Sequence, residues 1–303
     1  MGVRDMTESR QSGSRPIEDR PLAGMPHPDH PFHWKLYGCE MVATVVLMLC
    51  GIISVTVLTA PFSVIGRDLA PHPLLQTALC GLFFGLSGTV AAYTPFGRVS
   101  GAHVSPSVSL AFSLAGRLGG VDLCGYVAAQ MAGACVATFL LALFGHLLPG
   151  WGRMVHESAY AATVPFSGVA VIWPLVTEVA LTALLVLMLC CLAAHPTWKV
   201  VTPWAGGLFF FICNPISAWL SGNSSNLARS FGPALMAGQW QAFWIYVLGP
   251  FMGAALAIWL LRSRLLGRIE VEEARLVNFG HHGRIPSLLH PGRHAGAQGT
   301  PRQ

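Results

Sequence analysis

Two short stretches, far apart in the chain, are copies of one sequence element. The first reads Ser-Gly-Ala-His-Val-Ser-Pro-Ser-Val-Ser over residues 100–109, and the second begins Ser-Gly-Asn-Ser-Ser-Asn at residue 221. In each copy a Ser-Gly pair stands five residues before a residue that favours a helix N-cap, Ser105 or Asn226. Both copies lie between long apolar segments. Paired half-helices are how many membrane transport proteins build a midplane site, so the duplication predicts a site or pore between the copies.

The composition is typical of a membrane protein. Of 303 residues, 53% are hydrophobic and only 10% are charged, against about 25% charged residues in soluble domains. The eight cysteines lack the spacing of a metal site, and we interpret them as apolar residues within helices. No paired carboxylates, nucleophile–base set or phosphate loop is recognisable. The sequence therefore predicts no enzyme, no cofactor and no metal site.

Six apolar segments are long enough to cross a bilayer, which takes about 20 residues. They lie near 38–60, 74–94, 122–148, 169–194, 200–220 and 240–262. Two shorter segments, about 106–115 and 227–237, are too short to cross, which favours re-entrant half-helices. Each half then has three spans, an odd number, so the second half must be inverted. We predict an all-α inverted repeat of six transmembrane helices plus two re-entrant half-helices.

Polar segments flank this apolar region and set its orientation. We predict two disordered tails, at 1–36 and 265–303. Between them we predict a channel domain at 37–264, with one repeat at about 38–148 and the other at about 169–262. Lys and Arg collect on one side of the predicted spans, so both termini are expected to be cytoplasmic. Anionic lipid explains the basic tails more simply than nucleic acid does. The Arg-rich start, without an apolar signal segment, favours a bacterial inner membrane.

The predicted half-helix starts form a polar spot that should repel cations. Ser105 is a preferred cap, and Pro106 suits the first helical position. Asn226 is an equally good cap, although Leu227 lacks the fixed φ of proline. Two helix N-termini that meet at the midplane point two positive dipole ends at one place. A cation there meets a barrier, whereas a neutral polar molecule can still form hydrogen bonds.

Four ionisable residues near these elements are candidates for specific roles. Arg229 is costly at membrane depth, so it should line a pore, bind loop carbonyls, or do both. Glu40 and Glu178 occupy equivalent positions in the two halves, and a buried carboxylate needs donors. We expect both to brace the loops before the half-helices. His103 either lines the cytoplasmic vestibule or binds a loop carbonyl.

Further motifs run through the apolar region from the second span to the sixth. They are Phe84-Gly85-Leu86-Ser87, Ser100-Gly101-Ala102-His103 through Ser109, Ala129-Gln130 with Gly133-Ala134, Ala228-Arg229-Ser230-Phe231-Gly232-Pro233-Ala234, and Gly249-Pro250 with Gly253-Ala254. With these motifs the chain resembles the aquaporin, or major intrinsic protein, family. The resemblance implies six tilted helices with two half-helices, a pore in each subunit for water or a small neutral solute, and a homotetramer in the lipid bilayer.

The chain departs from this family at both midplane motifs. The family has Asn-Pro-Ala in each re-entrant loop, whereas here the motifs read Ser105-Pro106-Ser107 and Asn226-Leu227-Ala228. A serine hydroxyl can donate or accept, but an asparagine amide offers two donors. The donor that orients the solute is therefore weakened at one of the two sites.

The resemblance also implies a selectivity filter at the outer side of the pore. Phe84 matches the aromatic position on the second span, Arg229 the arginine, and Asn223 the position three residues before the cap. The position on the fifth span is Asn214 if no residue is inserted in the following loop, or Phe210 if there is an insertion. Both assignments remain open from sequence.

Three functions are compatible with these observations. The leading hypothesis is passive permeation of water, favoured by Ser230, because glycerol-conducting members usually carry Asp after the filter arginine. The second is a facilitator of another small neutral solute, such as glycerol, urea, hydrogen peroxide or ammonia. The third is a weakly conducting or non-conducting structural membrane protein, motivated by the two altered motifs.

Overall fold

A computed structural model describes residues 32–195, 197–263, 265 and 269. These residues form helices joined by turns and loops, with no strand among them. Of the two predicted tails, residues 1–31 and nearly all of 265–303 lie outside the described residues. The disorder expected of both tails therefore stays a prediction.

Six helices are long and apolar enough to cross a bilayer. They are α1 (Trp34–Thr59), α3 (Pro73–Tyr93), α6 (Gly120–Leu147), α8 (Ile172–Ala194), α9 (Thr202–Ser221) and α11 (Trp244–Arg262). The six predicted spans are confirmed, with small shifts at their ends. The sixth begins at Trp244 instead of residue 240 because Ala242 has a left-handed backbone, with φ of 45°, which a right-handed helix cannot include.

Two short helices occupy the predicted re-entrant positions. They are α5 (Pro106–Leu114) and α10 (Leu227–Ala237). At nine and eleven residues they are about 14 and 17 Å long at 1.5 Å per residue, roughly half the hydrocarbon thickness. Both pack against α6 and α11, and they also contact each other. The predicted fold of six spans and two half-helices is confirmed.

Three further helices were not expected from the sequence. They are α2 (Val64–Leu69), α4 (Pro95–Ser100) and α7 (Pro149–Glu157). Two of them carry a local start signal, since the Ser63 hydroxyl accepts from Gly66 N–H and the Thr94 hydroxyl from Gly97 N–H. All three are too short to appear in a search for membrane spans. The backbone N–H of Phe62 donates to a carboxylate oxygen of Glu157 over 2.8 Å, which ties α7 to the loop after α1.

Glycines set the distances between the spans. A Cβ on Gly85 of α3 would lie 2.5 Å from the carbonyl oxygen of Gly206 in α9. A Cβ on Gly133 would lie 2.6 Å from the carbonyl oxygen of Met41, and one on Gly253 would lie 2.5 Å from that of Val179. Met41 and Val179 directly follow the two predicted bracing glutamates. The same close helix contact therefore occurs once in each repeat.

The outer faces of the spans are apolar. Large hydrophobic side chains are exposed on several of them, including Phe139, Leu184, Leu208, Ile216 and Trp259. Exposed apolar faces of this extent are expected where the surroundings are lipid or another apolar surface. Together with the six spans, they identify an integral, multi-pass membrane protein.

The close α3–α9 contact can be tested with two glycines of one helix. In Gly85→Ala the new methyl would meet only backbone atoms of Gly206 and Gly207, so the helices must separate and stability should fall by about 1–3 kcal/mol. The matched control is Gly88→Ala, where the nearest atom is a Leu47 side-chain carbon at 3.7 Å. This variant should be neutral or up to about 1 kcal/mol more stable. Thermal unfolding in detergent measures both, and equal stabilities would contradict the analysis.

Candidate functional site

A continuous cavity of about 350 Å³ passes between the two repeats. Its lining includes Thr59 and Gln76, at the end of α1 and the start of α3, and also Ala92 and Thr202, at the end of α3 and the start of α9. From Gln76 to Ala92 the helix rises about 24 Å at 1.5 Å per residue. The cavity therefore follows most of the thickness of the helix bundle, as a pore does.

The two half-helices begin beside this cavity and are joined by hydrogen bonds. The side-chain amide of Asn226 donates to the carbonyl oxygen of Val104 over 2.8 Å. The hydroxyl of Ser107 donates to the carbonyl oxygen of Ser225 over 2.9 Å. Ser105 and Asn226 both line the cavity. The structure thus brings the two predicted cap residues to one level of the pore.

The other midplane residues lie behind these caps. Pro106 is the first residue of α5, and it is buried. Leu227 and Ala228 open α10, and they are also buried.

The N-termini of α5 and α10 differ in capping. The Asn226 side-chain oxygen accepts from the N–H groups of Ala228 at 3.0 Å and of the next residue at 3.3 Å, whereas no cap hydrogen bond from the Ser105 side chain is found among the described residues.

The loops before the half-helices have an unusual backbone in both repeats. Ala102 and Val104 have φ of 53° and 45°, and Asn223 and Ser225 have φ of 50° and 52°. Non-glycine residues rarely adopt these values, and each costs of order 1–3 kcal/mol unless the surroundings enforce it. The conformation therefore needs strong partners nearby.

Two buried carboxylates are those partners. One Glu178 oxygen accepts from the Ser221 hydroxyl at 2.8 Å and from Ser224 N–H at 2.9 Å, and the other accepts from Ser225 N–H at 2.8 Å. Glu40 Oε1 accepts from Val104 N–H and from the Gln130 amide. Glu40 Oε2 has no hydrogen-bond partner within the described part of the chain. The carboxylates hold both loops, but the second loop is held by more bonds.

Two tyrosines also hold these loops, and sequence reasoning missed them. Tyr126 donates to the carbonyl oxygen of Ser100 over 2.6 Å, and Tyr246 donates to that of Ser221 over 2.7 Å. Ser100 and Ser221 are the first residues of the two copied elements. Each tyrosine stands seven residues before a close-packing glycine in the third span of its repeat. This repeated spacing is a signal that could have identified the pair.

The four predicted filter residues, Phe84, Asn214, Asn223 and Arg229, all line the cavity. The guanidinium carbon of Arg229 lies 4.5 Å from the centre of the Phe84 ring, within range of a cation–π interaction. One Arg229 nitrogen donates to the carbonyl oxygen of Ala161 over 2.7 Å. Arg229 thus both lines the cavity and binds a loop carbonyl, the two roles considered from sequence.

The other two predicted filter residues are asparagines that are hydrogen-bonded to each other. The Asn223 amide donates to the side-chain oxygen of Asn214, whose own amide donates to the carbonyl oxygen of Thr77 over 3.3 Å. Phe210 also lines the cavity but lies one helical turn away along α9. Of the two open assignments for the fifth span, the geometry favours Asn214.

His103 is packed as a structural residue although it reaches the cavity lining. It is 1% exposed, and its ring stacks on Phe112 and packs against the tilted ring of Tyr126, with ring-centre distances of 4.7 and 4.8 Å. Its Nδ1 lies 3.1 Å from the hydroxyl oxygen of Ser109. Between the two expectations for His103, the packing places most of the side chain inside the protein and little of it in an open vestibule.

Comparisons with known proteins agree with this geometry. A family model described as major intrinsic protein matches residues 29–261. Aquaporin A of Dictyostelium discoideum is 32% identical over 245 residues, covering 79% of this chain and 82% of that protein. Aquaporin NIP1-1 of Zea mays is 33% identical over 233 residues, covering 76% and 74%. The solved aquaglyceroporin of Plasmodium falciparum matches with a TM-score of 0.62 at 17% identity, covering 77% of this chain and 96% of that one, which supports the fold.

The unequal bonding of the two carboxylates predicts unequal effects of one substitution. In Glu178→Gln an amide nitrogen must face an N–H or O–H donor, because both oxygens of Glu178 accept. We expect a loss of about 2–3 kcal/mol in stability and a lower pore activity.

Glu40→Gln is the matched control. Its oxygen can keep both bonds while the amide takes the place of Oε2, so we expect a change within about 1 kcal/mol. Thermal unfolding followed by size-exclusion chromatography compares the two variants. A larger loss for Glu40→Gln would contradict the assignment.

Proposed function

We propose that this chain, which belongs to the major intrinsic protein family, conducts water through the cavity between its two repeats. Its family relatives include aquaporins of plants and of an amoeba. Membership of this family supports a passive channel for water or small solutes. The choice of water among these solutes is the proposal, and the filter and the midplane support it.

The contact between Arg229 and Phe84 is the observation that carries the proposal. The guanidinium lies over the aromatic ring at 4.5 Å and is fixed by the Ala161 carbonyl. Two large side chains thus line the cavity together, and the hydrogen-bonded pair of Asn223 and Asn214 also lines it. A ring that combines a fixed cation, an aromatic face and short amides favours small polar molecules and repels cations.

The midplane adds a second barrier against cations. The N-termini of α5 and α10 meet there, each with partial positive charge from its unpaired N–H groups. A water molecule replaces its lost hydration through the Asn226 amide and through polar groups of the loops. A cation would lose its hydration shell where the local potential is positive. The pathway therefore suits neutral molecules that form hydrogen bonds.

A second candidate is a facilitator of another small neutral solute, such as glycerol, urea, hydrogen peroxide or ammonia. The hydrogen-bonded pair of Asn223 and Asn214 favours it, because amides in the filter can bind the polar groups of a solute other than water. Hydrogen peroxide is closest to water in size and in hydrogen bonding. A non-conducting structural role is the third outcome that the experiment below can give.

We also propose that the protein forms a homotetramer in a lipid bilayer with both termini in the cytoplasm. Subunit contacts would cover part of the exposed apolar surface of the spans. The comparisons also bear on which membrane contains the protein. The similar proteins come from plants, an amoeba and Plasmodium, so they do not support the bacterial inner membrane that the sequence favoured.

Osmotic shrinkage of proteoliposomes tests the water proposal. The wild type should shrink faster than empty vesicles, with a low activation energy, under a gradient of an impermeant solute followed by stopped-flow light scattering. Wild-type vesicles should admit glycerol and urea far more slowly than water. Arg229→Ala removes the guanidinium that faces Phe84, so it should retain water flow and admit glycerol and urea at least several-fold faster.

The outcomes separate the three functions. Glycerol or urea entry at rates similar to water in the wild type would favour the second candidate. The water proposal would be contradicted if vesicles with folded, inserted protein shrink no faster than empty vesicles. Hydrogen peroxide and ammonia uptake would then be measured, and their absence would leave the structural role.

A further inference from the structure

Hydrogen bonds between the two pore loops follow the inverted repeat, but with different donors. Val104 directly precedes the cap Ser105, and Ser225 directly precedes the cap Asn226. The carbonyl oxygen of Val104 accepts from the opposite cap, Asn226, at 2.8 Å. By the symmetry of the repeat, the carbonyl oxygen of Ser225 should accept from residue 105. It accepts instead from Ser107 at 2.9 Å.

Ser107 therefore supplies the bond that its neighbouring cap does not make. Ser107 is fully buried, and its oxygen lies 2.8 Å from the hydroxyl oxygen of Ser105. Ser105 and Ser107, the first and third residues of the Ser-Pro-Ser motif, thus act as a pair. Together they take the place of one carboxamide, with Ser107 making the bond between loops and Ser105 facing the cavity.

The positions of the hydroxyl hydrogens follow from counting donors. Each serine hydroxyl carries one hydrogen and two lone pairs. A carbonyl oxygen can only accept, so the Ser107 hydrogen is committed to Ser225. In the contact between Ser105 and Ser107 the donor must then be Ser105. The hydroxyl of Ser105 has no hydrogen left to offer to the pore.

We propose that Ser105 is a hydrogen-bond acceptor for the permeating solute, and that Ser107 is the positioning residue that makes it one. Ser105 lines the cavity, and its hydroxyl caps no N–H group within the described residues. Asn226, at the same level, has an amide with two hydrogens, of which one is bound to Val104. The midplane thus presents a donor from one repeat and an acceptor from the other.

This arrangement selects solutes that both accept and donate. Water and hydrogen peroxide can accept from Asn226 and donate to Ser105 at once, and each keeps a second hydrogen for the next molecule in the file. In a single file of water molecules, each molecule can then donate to the next in the same direction through the midplane. Two donors would force the central water to point both hydrogens away from the caps, in opposite directions. The inference rests on the proposed function, since it concerns what passes through this pore.

The test uses Ser105→Ala, Ser107→Ala and the double variant Ser105→Asn/Ser107→Ala. Ser105→Ala removes the acceptor, and we expect water permeability to fall about three- to tenfold, which corresponds to about 0.7–1.4 kcal/mol, the size of one hydrogen bond. Ser107→Ala frees the Ser105 hydrogen and leaves the Ser225 carbonyl unpaired. It should lower both permeability and the unfolding temperature.

The double variant decides between positioning and simple packing. A carboxamide at position 105 can donate to Ser225 directly, so the unfolding temperature should return towards the wild-type value although Ser107 is absent. The midplane would then hold two donors. Proton leakage, measured with a pH-sensitive dye inside the vesicles, should be several-fold lower than in the wild type at similar water permeability.

The results distinguish this inference from the proposed function. Water flow in the wild type with no loss in Ser105→Ala would overturn the inference and leave the water channel intact. A double variant that stays as unstable as Ser107→Ala, or that leaks protons like the wild type, would also overturn it. If the wild type conducts no water, the proposed function fails, and the acceptor role is overturned unless Ser105→Ala slows hydrogen peroxide uptake.

Discussion

The structure depends on two carboxylates that bind backbone N–H groups in the middle of a membrane. Irregular backbone is tolerated at that depth only where protein groups satisfy it. Glu178 accepts from the N–H groups of Ser224 and Ser225, and it holds Ser225 in a left-handed conformation that serine rarely adopts. Glu40 does the same for Val104. Without these bonds the loops could not place the starts of α5 and α10 against each other, and no midplane site would form.

Close helix packing fixes the carboxylates in turn. Gly133 and Gly253 let the third span of each repeat approach the first span at Met41 and Val179, the residues that follow the two glutamates. A side chain at either glycine would push the first span away from the loop that its carboxylate holds. In each repeat the glycine and the glutamate are therefore needed together to position the loop, and the same arrangement occurs in both repeats in inverted orientation.

Much of the fold could be predicted from sequence, because span length and the duplicated element depend on local composition. The helix α7 could not, since it is short and its place depends on a contact between Phe62 and Glu157. The filter residue on α9 stayed open because Asn214 and Phe210 share one helix face, and only the contact with Asn223 separates them. The bond from Ser107 to Ser225 joins residues 118 positions apart. No pattern within either loop indicates it.

The two repeats are alike in electrostatics and unlike in hydrogen bonding. Two half-helix N-termini give the same barrier to cations whichever side chain caps them, because the barrier arises from the backbone. The caps decide the direction of the hydrogen bonds, and here Asn226 donates while Ser105 accepts. A channel can therefore lose the symmetry of its caps and still exclude cations. What it changes is the orientation of the molecule at the midplane, and with it the balance between water flow and proton transfer.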